Sequence, residues 1–367
     1  MLQVVNQTPF AASLSVFPDV DGVESAFLVV KATFDFASPA PQLSARQAPL
    51  LATDVYWGDP VQTSLRAAGD FALPKPATDI LLIGRAIAPA PGTRVTDVSL
   101  QVGPVAKTVR VFGDRQWQRR QDRWEPGDPA EWERMPLRWE RAFGGVASLQ
   151  AGTGPQDKEV EPRNPVGQGL IPADSGPGSG RSFPLPNLED PSHLIATDAD
   201  RPPPACFAPL SPTWMPRRSH AGTYDEKWSR TQAPYLPVDF DPKYFQVAPP
   251  DLIAPGYLQG GEPVQLSGFT QGEPLRFELP RLQLEAGFDF AGSLQPRPLN
   301  LETVLFEPDV GRFQMMWRAG LAVDKKLLRL RAIELRCTQY DKDGRTPNPM
   351  STNGVMPAQN RAEQVNS

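Results

Sequence analysis

The chain has 367 residues, 40% of them hydrophobic, enough apolar material for one large core or two packed lobes, which excludes disorder throughout. Its net charge of -5 and pI near 5.3 give no electrostatic reason to expect nucleic acid or an anionic membrane as a partner. The 43 prolines each fix φ and remove a backbone donor, which works against long helices and central strand positions alike.

The first fourteen residues lack a basic start followed by an apolar run, and no stretch approaches about twenty apolar residues, so a cytoplasmic protein without signal peptide or membrane span is expected. At 12–17 and 27–36, two apolar runs flank Asp21-Gly22, the signature of a hairpin whose turn needs a residue at φ > 0. Within the second run Val30, Ala32, Phe34 and Phe36 alternate with Lys31, Thr33 and Asp35, predicting a half-buried strand with the second set facing solvent. Strands follow at 80–83, 95–102 and 105–112, separated by glycine and proline.

From 146 to 237 proline and glycine recur without a period of 2 or 3.6, which predicts irregular chain. Its tryptophans and phenylalanines favour coil packed on a core, and the glycines at 175–182 mark its flexible piece. Alternation returns at Leu275, Phe277 and Leu279, then at Leu282 and Leu284. Leu328 and Leu330 share one phase while Ile333, Leu335 and Cys337 share the other, the pattern of a strand bent by a bulge, with a helix as the alternative. The expected fold is mainly β: an antiparallel sandwich or barrel-like lobes with long Pro/Gly-rich irregular loops and few short helices. One domain is expected over 1–340, with β lobes at about 1–145 and 238–340 joined by 146–237, and a flexible tail at 341–367.

Reactive chemistry is thinly supplied. Only His193 and His220 are present, whereas general bases, metal sites and activated nucleophiles most often recruit histidine. Cys206 and Cys337 form no CxxC pair and are expected to be reduced and structural. The acidic pairs Glu189-Asp190, Asp225-Glu226 and Asp239-Phe240-Asp241 have no spacing diagnostic of glycoside chemistry or of a calcium loop. Arg115, Arg119, Arg120 and Arg123 interleave with Trp117 and Trp124 as in a single-strand nucleic-acid platform, but Asp114, Asp122 and Glu125 interrupt them and a twisted hairpin accounts for the pattern. Gly167-Gln168-Gly169 lacks the following GK[ST] of a phosphate loop and reads as a tight turn.

Several loop motifs occur in a fixed order: Asn6-Gln7-Thr8-Pro9-Phe10, Val29-Val30-Lys31-Ala32-Thr33-Phe34, Trp57-Gly58-Asp59-Pro60, Lys75-Pro76-Ala77-Thr78-Asp79, Val111-Phe112-Gly113-Asp114-Arg115, Met135-Pro136-Leu137. Arg141-Ala142-Phe143-Gly144-Gly145, Asn164-Pro165-Val166-Gly167, Leu185-Pro186-Asn187-Leu188-Glu189, Ala221-Gly222-Thr223-Tyr224-Asp225 with Trp228, and Pro237-Val238-Asp239-Phe240 complete the set. Together they resemble the domain of unknown function family 2169, found in type VI secretion gene clusters, over about residues 3–280. The resemblance implies a cytoplasmic, non-enzymatic adaptor or chaperone, without cofactor or metal, whose partners are a secretion effector and the spike or tip protein that carries it. A sugar-binding or glycoside-cleaving β-sandwich and a structural component of the secretion assembly are the alternatives. The residues expected to carry binding are Arg141, Trp214, Tyr224, Asp225, Trp228 and Asp239, because aromatics dominate interfaces and charged residues in Gly/Pro-rich motifs tie loops through backbone groups.

Overall fold

A computed structural model describes residues 3–36, 40–120, 123–148, 158–171, 182–290 and 292–339. The stretch 175–181 and the tail 341–367, both expected to be flexible, lie outside the described residues.

The predicted hairpin forms. Ala11–Pro18 pairs antiparallel with Glu24–Asp35, Ala12 opposite Val30 and Phe17 opposite Ser25. Gly22 sits in the turn at φ 77°, and the Asp19 carboxylate accepts from the N–H groups of Asp21 and Val23 at 3.0 and 2.9 Å. On its other edge Glu24–Asp35 pairs antiparallel with Arg312–Ala322, from Asp35 opposite Arg312 to Ser25 opposite Ala322. Asn300–Glu307 and then Asp79–Leu82 extend this large sheet, the last pair being parallel, and Gln42–Leu43 adds to the end of the long strand.

A second, fully antiparallel sheet runs in the order Leu188–Glu189, Val105–Phe112, Val95–Val102, Pro263–Ser267 and Leu275–Glu278. A third runs Gln3–Asn6, Leu330–Gln339, Leu282–Phe290 and Ser293–Pro298, with only the first pair parallel. The fold is therefore mainly β, with several antiparallel sheets, none closed into a barrel among the described residues, and one short α-helix at Glu226–Thr231. Every one of these three sheets draws strands from both 1–145 and 238–340, so the two ends of the chain interleave.

Ala26, Leu28, Val30, Ala32 and Phe34 face the main core with Phe313, Met315 and Trp317 from the neighbouring strand. Phe277 of the second sheet joins them, its ring 5.2 Å from that of Phe313 and 5.5 Å from that of Phe36. Each of the Leu, Val, Phe and Met side chains contributes roughly 1.5–3 kcal/mol by leaving water, and the alanines less.

The opposite face of the same strand corrects the sequence reading. Lys31 and Thr33, expected in solvent, are 5% and 0% exposed. The loop after Leu43 folds over them and brings polar partners. Lys31 Nζ bonds the Asp70 carboxylate, and the Gln47 amide pairs with Thr33 like an added strand, accepting from its N–H at 2.8 Å and donating to its C=O at 3.1 Å. Buried polar groups are tolerated only with such partners.

Apart from strands of two or three residues and the short helix and 3-10 turn, the described part of 146–237 is irregular chain, much of it packed on the core. Trp139 and Trp214 are 2% and 5% exposed, edge to face with centroids 6.2 Å apart, and Trp139 Nε1 donates to Ala208 O and Pro209 O at 3.1 and 3.0 Å. Cys206 and Cys337 are unpaired, and burial pushes their thiols up to about 12 and about 11. Both fit the structural role expected of them.

Candidate binding surface

The loop motifs meet one another. Arg141 ends the 3-10 turn that starts at Trp139, and its Nη1 donates to Asp114 Oδ1 at 3.1 Å and Asn187 Oδ1 at 2.8 Å. Asn187 Nδ2 returns a bond to Phe112 O at 3.1 Å, so one guanidinium and one amide join three segments remote in sequence. Beneath them Arg115 lies over the Phe112 ring at 3.6 Å, donates to Pro186 O at 3.2 Å and is ion-paired with Glu189. Burial is the dominant influence on both partners, lowering the Arg115 pKa and holding the Glu189 carboxyl above the usual carboxylate range despite their attraction. The rest of that arginine and tryptophan cluster forms the hairpin Trp117–Arg120 with Arg123–Pro126. Asn164, fully buried, donates to Trp139 O at 2.8 Å and Phe143 O at 2.9 Å, tying a further pair of motifs.

A second knot, at 220–245, is built differently, because its bonds hold rings outward. His220 Nδ1 lies 3.0 Å from Asp241 Oδ2, and Asp241 Oδ1 caps the next 3-10 turn by accepting from Lys243 N at 2.9 Å. Thr223 donates twice to Asp239, from N–H at 2.9 Å and from its hydroxyl at 2.7 Å. These donors, the backbone N–H foremost, hold the Asp239 carboxyl below its ordinary range. Asp225 is the N-cap of Glu226–Thr231, accepting from Trp228 N at 2.8 Å, as a carboxylate before the first turn does.

That cap fixes the start of a helix too short to persist alone, and the helix positions Trp228. The Trp228 ring stands edge-on to Tyr224 with centroids 4.7 Å apart, and Trp228 Nε1 donates to Tyr235 O at 2.9 Å. Tyr224 and Tyr235 remain 53% and 45% exposed, and Val238 92%. Partial burial raises the Tyr224 phenol above its usual value. Phe240, Tyr244 and Phe245 pack on one another with centroids 5.5–5.7 Å apart and anchor the knot from below.

The structure thus brings together four of the six expected binding residues, Tyr224, Asp225, Trp228 and Asp239. Arg141 belongs to the motif crossing instead, and Trp214 is buried against Trp139. Tyr235 and Val238 complete the exposed surface and were not in the expected set. The available signal was an apolar residue between Pro237 and Asp239 in a segment with no strand or helix period to bury it.

Among the described residues no group of three or more His, Cys, Asp or Glu side chains could hold a metal ion, and no helix is long and apolar enough to cross a membrane. The acidic pairs weighed from the sequence are engaged locally: Glu189 with Arg115, Asp190 with Ser192 N at 2.9 Å, Asp225 and Asp241 as caps, and Asp239 with Thr223. No curated protein and no solved structure matches the chain significantly. A family model described as an uncharacterized protein conserved in bacteria, DUF2169, matches residues 21–318, from the hairpin turn to the third strand of the large sheet, and the chain belongs to that family.

Proposed function

We propose that this chain is a non-enzymatic adaptor that holds a type VI secretion effector in the cytoplasm and assists its loading onto the spike or tip protein. The secretion context is what the family resemblance of the loop motifs implies. The binding role is carried by one observation: Tyr224, Tyr235 and Val238 are exposed, with the half-buried Trp228 ring against Tyr224, on a frame clasped by Asp225, Asp239 and Thr223. Rings held in place before binding lose little entropy on contact, and aromatic residues commonly dominate interface energetics.

The test is co-purification of the full chain with the effector encoded beside it, using the wild type and the double variant Tyr224→Ser/Val238→Ser. Both side chains are exposed, so thermal melting should stay within about 2 °C of the parent. Affinity should fall by at least about tenfold, the scale of losing one interface hot spot. Unchanged affinity with intact folding would remove the knot from the interface, and an effector whose abundance and delivery do not depend on this chain would remove the adaptor role.

A further inference from the structure

The polar face of the large sheet does not simply close under its roof. Between Lys31, Thr303, Gln314 and Arg318 on the strands and the loop from Ala48 to Ala72 lies a cavity of about 500 Å³, within the size range of small-molecule sites. Leu51, Phe71, Leu305 and Val247 give it apolar walls, and six cationic side chains line it: Lys31, Arg66, Lys75, Arg217, Arg312 and Arg318. Four of them are neutralised in place, Lys31 by Asp70, Lys75 by Asp79 at 2.7 Å, Arg312 by Glu307 at 2.8 Å and Arg318 by Glu302 at 2.8 Å. Arg66 and Arg217 have no carboxylate within ion-pair distance among the described residues, Arg66 stacking instead on Trp57 with its guanidinium carbon 5.1 Å from the ring centre.

Arg217 is the telling one. It is 7% exposed, its Nε donates to Tyr244 O at 3.0 Å and its Nη1 to Leu210 O at 2.6 Å, and neither acceptor carries a charge. Burial lowers its affinity for a proton, while Asp54, also on the cavity wall, and Asp79 favour its charge through space without an ion pair; a guanidinium stays charged at neutral pH, so a buried cation with no carboxylate in direct contact faces a largely apolar-walled space. Buried charges are otherwise paired.

We propose that this cavity binds a small organic anion, a carboxylate or phosphate group on an apolar body, with Arg217 as the buried anchor and Arg66 at the rim. A neutral ligand would leave Arg217 as it is, and a cation would add to the excess positive charge. The site does not rest on the adaptor reading, since none of Tyr224, Trp228, Tyr235 and Val238 lines the cavity.

The test is isothermal titration calorimetry on the full chain with sodium octanoate, phenyl phosphate, 1-octanol as the neutral counterpart, and a capped acidic hexapeptide. Octanoate or phenyl phosphate should bind at least about tenfold more tightly than octanol, as expected for a charge-assisted hydrogen bond. Arg217→Gln should weaken that binding by about tenfold or more. Because Arg217 also holds two backbone carbonyls, Arg66→Gln, on an exposed side chain, provides an independent variant that should weaken it without lowering the melting temperature. Tyr224→Ser/Val238→Ser should leave anion binding unchanged, which separates this site from the partner surface. Octanol binding as tightly as octanoate, silence of both anions at millimolar concentration, or binding of the peptide alone would each overturn the proposal.

Discussion

Replacing Arg318 by methionine tests how the polar face of the large sheet is held. Arg318 and Glu302 side chains are each 1% exposed, and Arg318 donates from Nε to Glu302 Oε2 at 2.8 Å and from Nη2 to Asp70 O at 2.9 Å. Glu302 Oε1 meanwhile accepts from Lys75 N at 3.0 Å. Arg318→Met leaves the carboxylate with that single N–H, and breaking a buried pair in this way costs about 3–5 kcal/mol. At roughly 2–3 °C per kcal/mol for a chain of this size, melting should fall by about 6–15 °C. Arg318→Met/Glu302→Gln removes both charges and keeps a carbonyl for Lys75 N–H, so it should recover about half or more of the loss.

The pH dependence has a definite sign. Burial, outweighing Arg318, already holds the Glu302 carboxyl above the usual carboxylate range, so the folded state binds this proton more tightly than the unfolded chain. Its destabilising contribution is absent below the unfolded value, about 4.3, and sets in as pH rises through the folded value. Without Arg318 to offset burial, the deficit should be largest near pH 7.5 and shrink toward about pH 5. Circular-dichroism melts at the two pH values read this directly. A single variant melting with the parent at neutral pH, or a double variant no better than the single, would refute the reasoning.

Three further substitutions probe the turn, the knot and the motif crossing. Gly22→Ala places a side chain at φ 77° and a methyl group 3.1 Å from the Tyr235 ring, and should cost about 1–2 kcal/mol in a denaturant titration. Thr223→Val deletes the hydroxyl that bonds Asp239 and keeps the backbone donor, so the Asp239 carboxyl should titrate higher, toward the ordinary carboxylate range. Carbon-detected NMR titration measures it, and the clasp, intact above the unfolded value, should then loosen at a higher pH on acidification. Asn164→Ala removes the amide donor to Phe143 O and to Trp139 O, the latter keeping the Ala142 N–H at 3.0 Å, and should lower stability by roughly 1–3 kcal/mol, read as a shifted denaturation midpoint with unchanged slope.

Sequence periodicity located the strands wherever one neighbour decided their environment. Val95–Val102 and Val105–Phe112 occur as read, and the phase change near the C-terminal end is a bulge: Asp289 faces Ala332 while Phe290 faces Leu330, so Arg331 is the extra residue. Leu328, grouped with that strand from its phase, is instead 98% exposed in the preceding 3-10 turn. The failure at Lys31 and Thr33 has a different origin. Alternation reports which side chains are polar, not which are wet, and the groups that make these two burial-tolerant, Asp70 and Gln47, lie 39 and 14 residues away in a loop without period. The binding set divided for the same reason. Nothing local separates Trp214, which finds Trp139, from Trp228, whose ring finds Tyr224 and the backbone of Tyr235.

The motif contacts also say where differences between partners can reside. A methyl group on Gly144 would sit 2.1 Å from Asn164 O, and Arg141, Asp114 and Asn187 hold one another, so the residue types at the crossing are dictated by backbone approach and by mutual bonding. In the knot the same constraint falls on the frame. Gly222 is at φ 78°, and a methyl group there would meet Pro237 Cβ at 2.9 Å and Asp239 Oδ1 at 3.0 Å, so Gly222→Ala should open the Thr223–Asp239 clasp. Val238, one residue away from that clasp and 92% exposed, meets no such demand. Under the adaptor proposal, discrimination between effectors therefore belongs to Tyr224, Tyr235 and Val238, carried on a frame that cannot vary with them. Val238→Arg should change partner affinity without changing melting, whereas Gly222→Ala should change both.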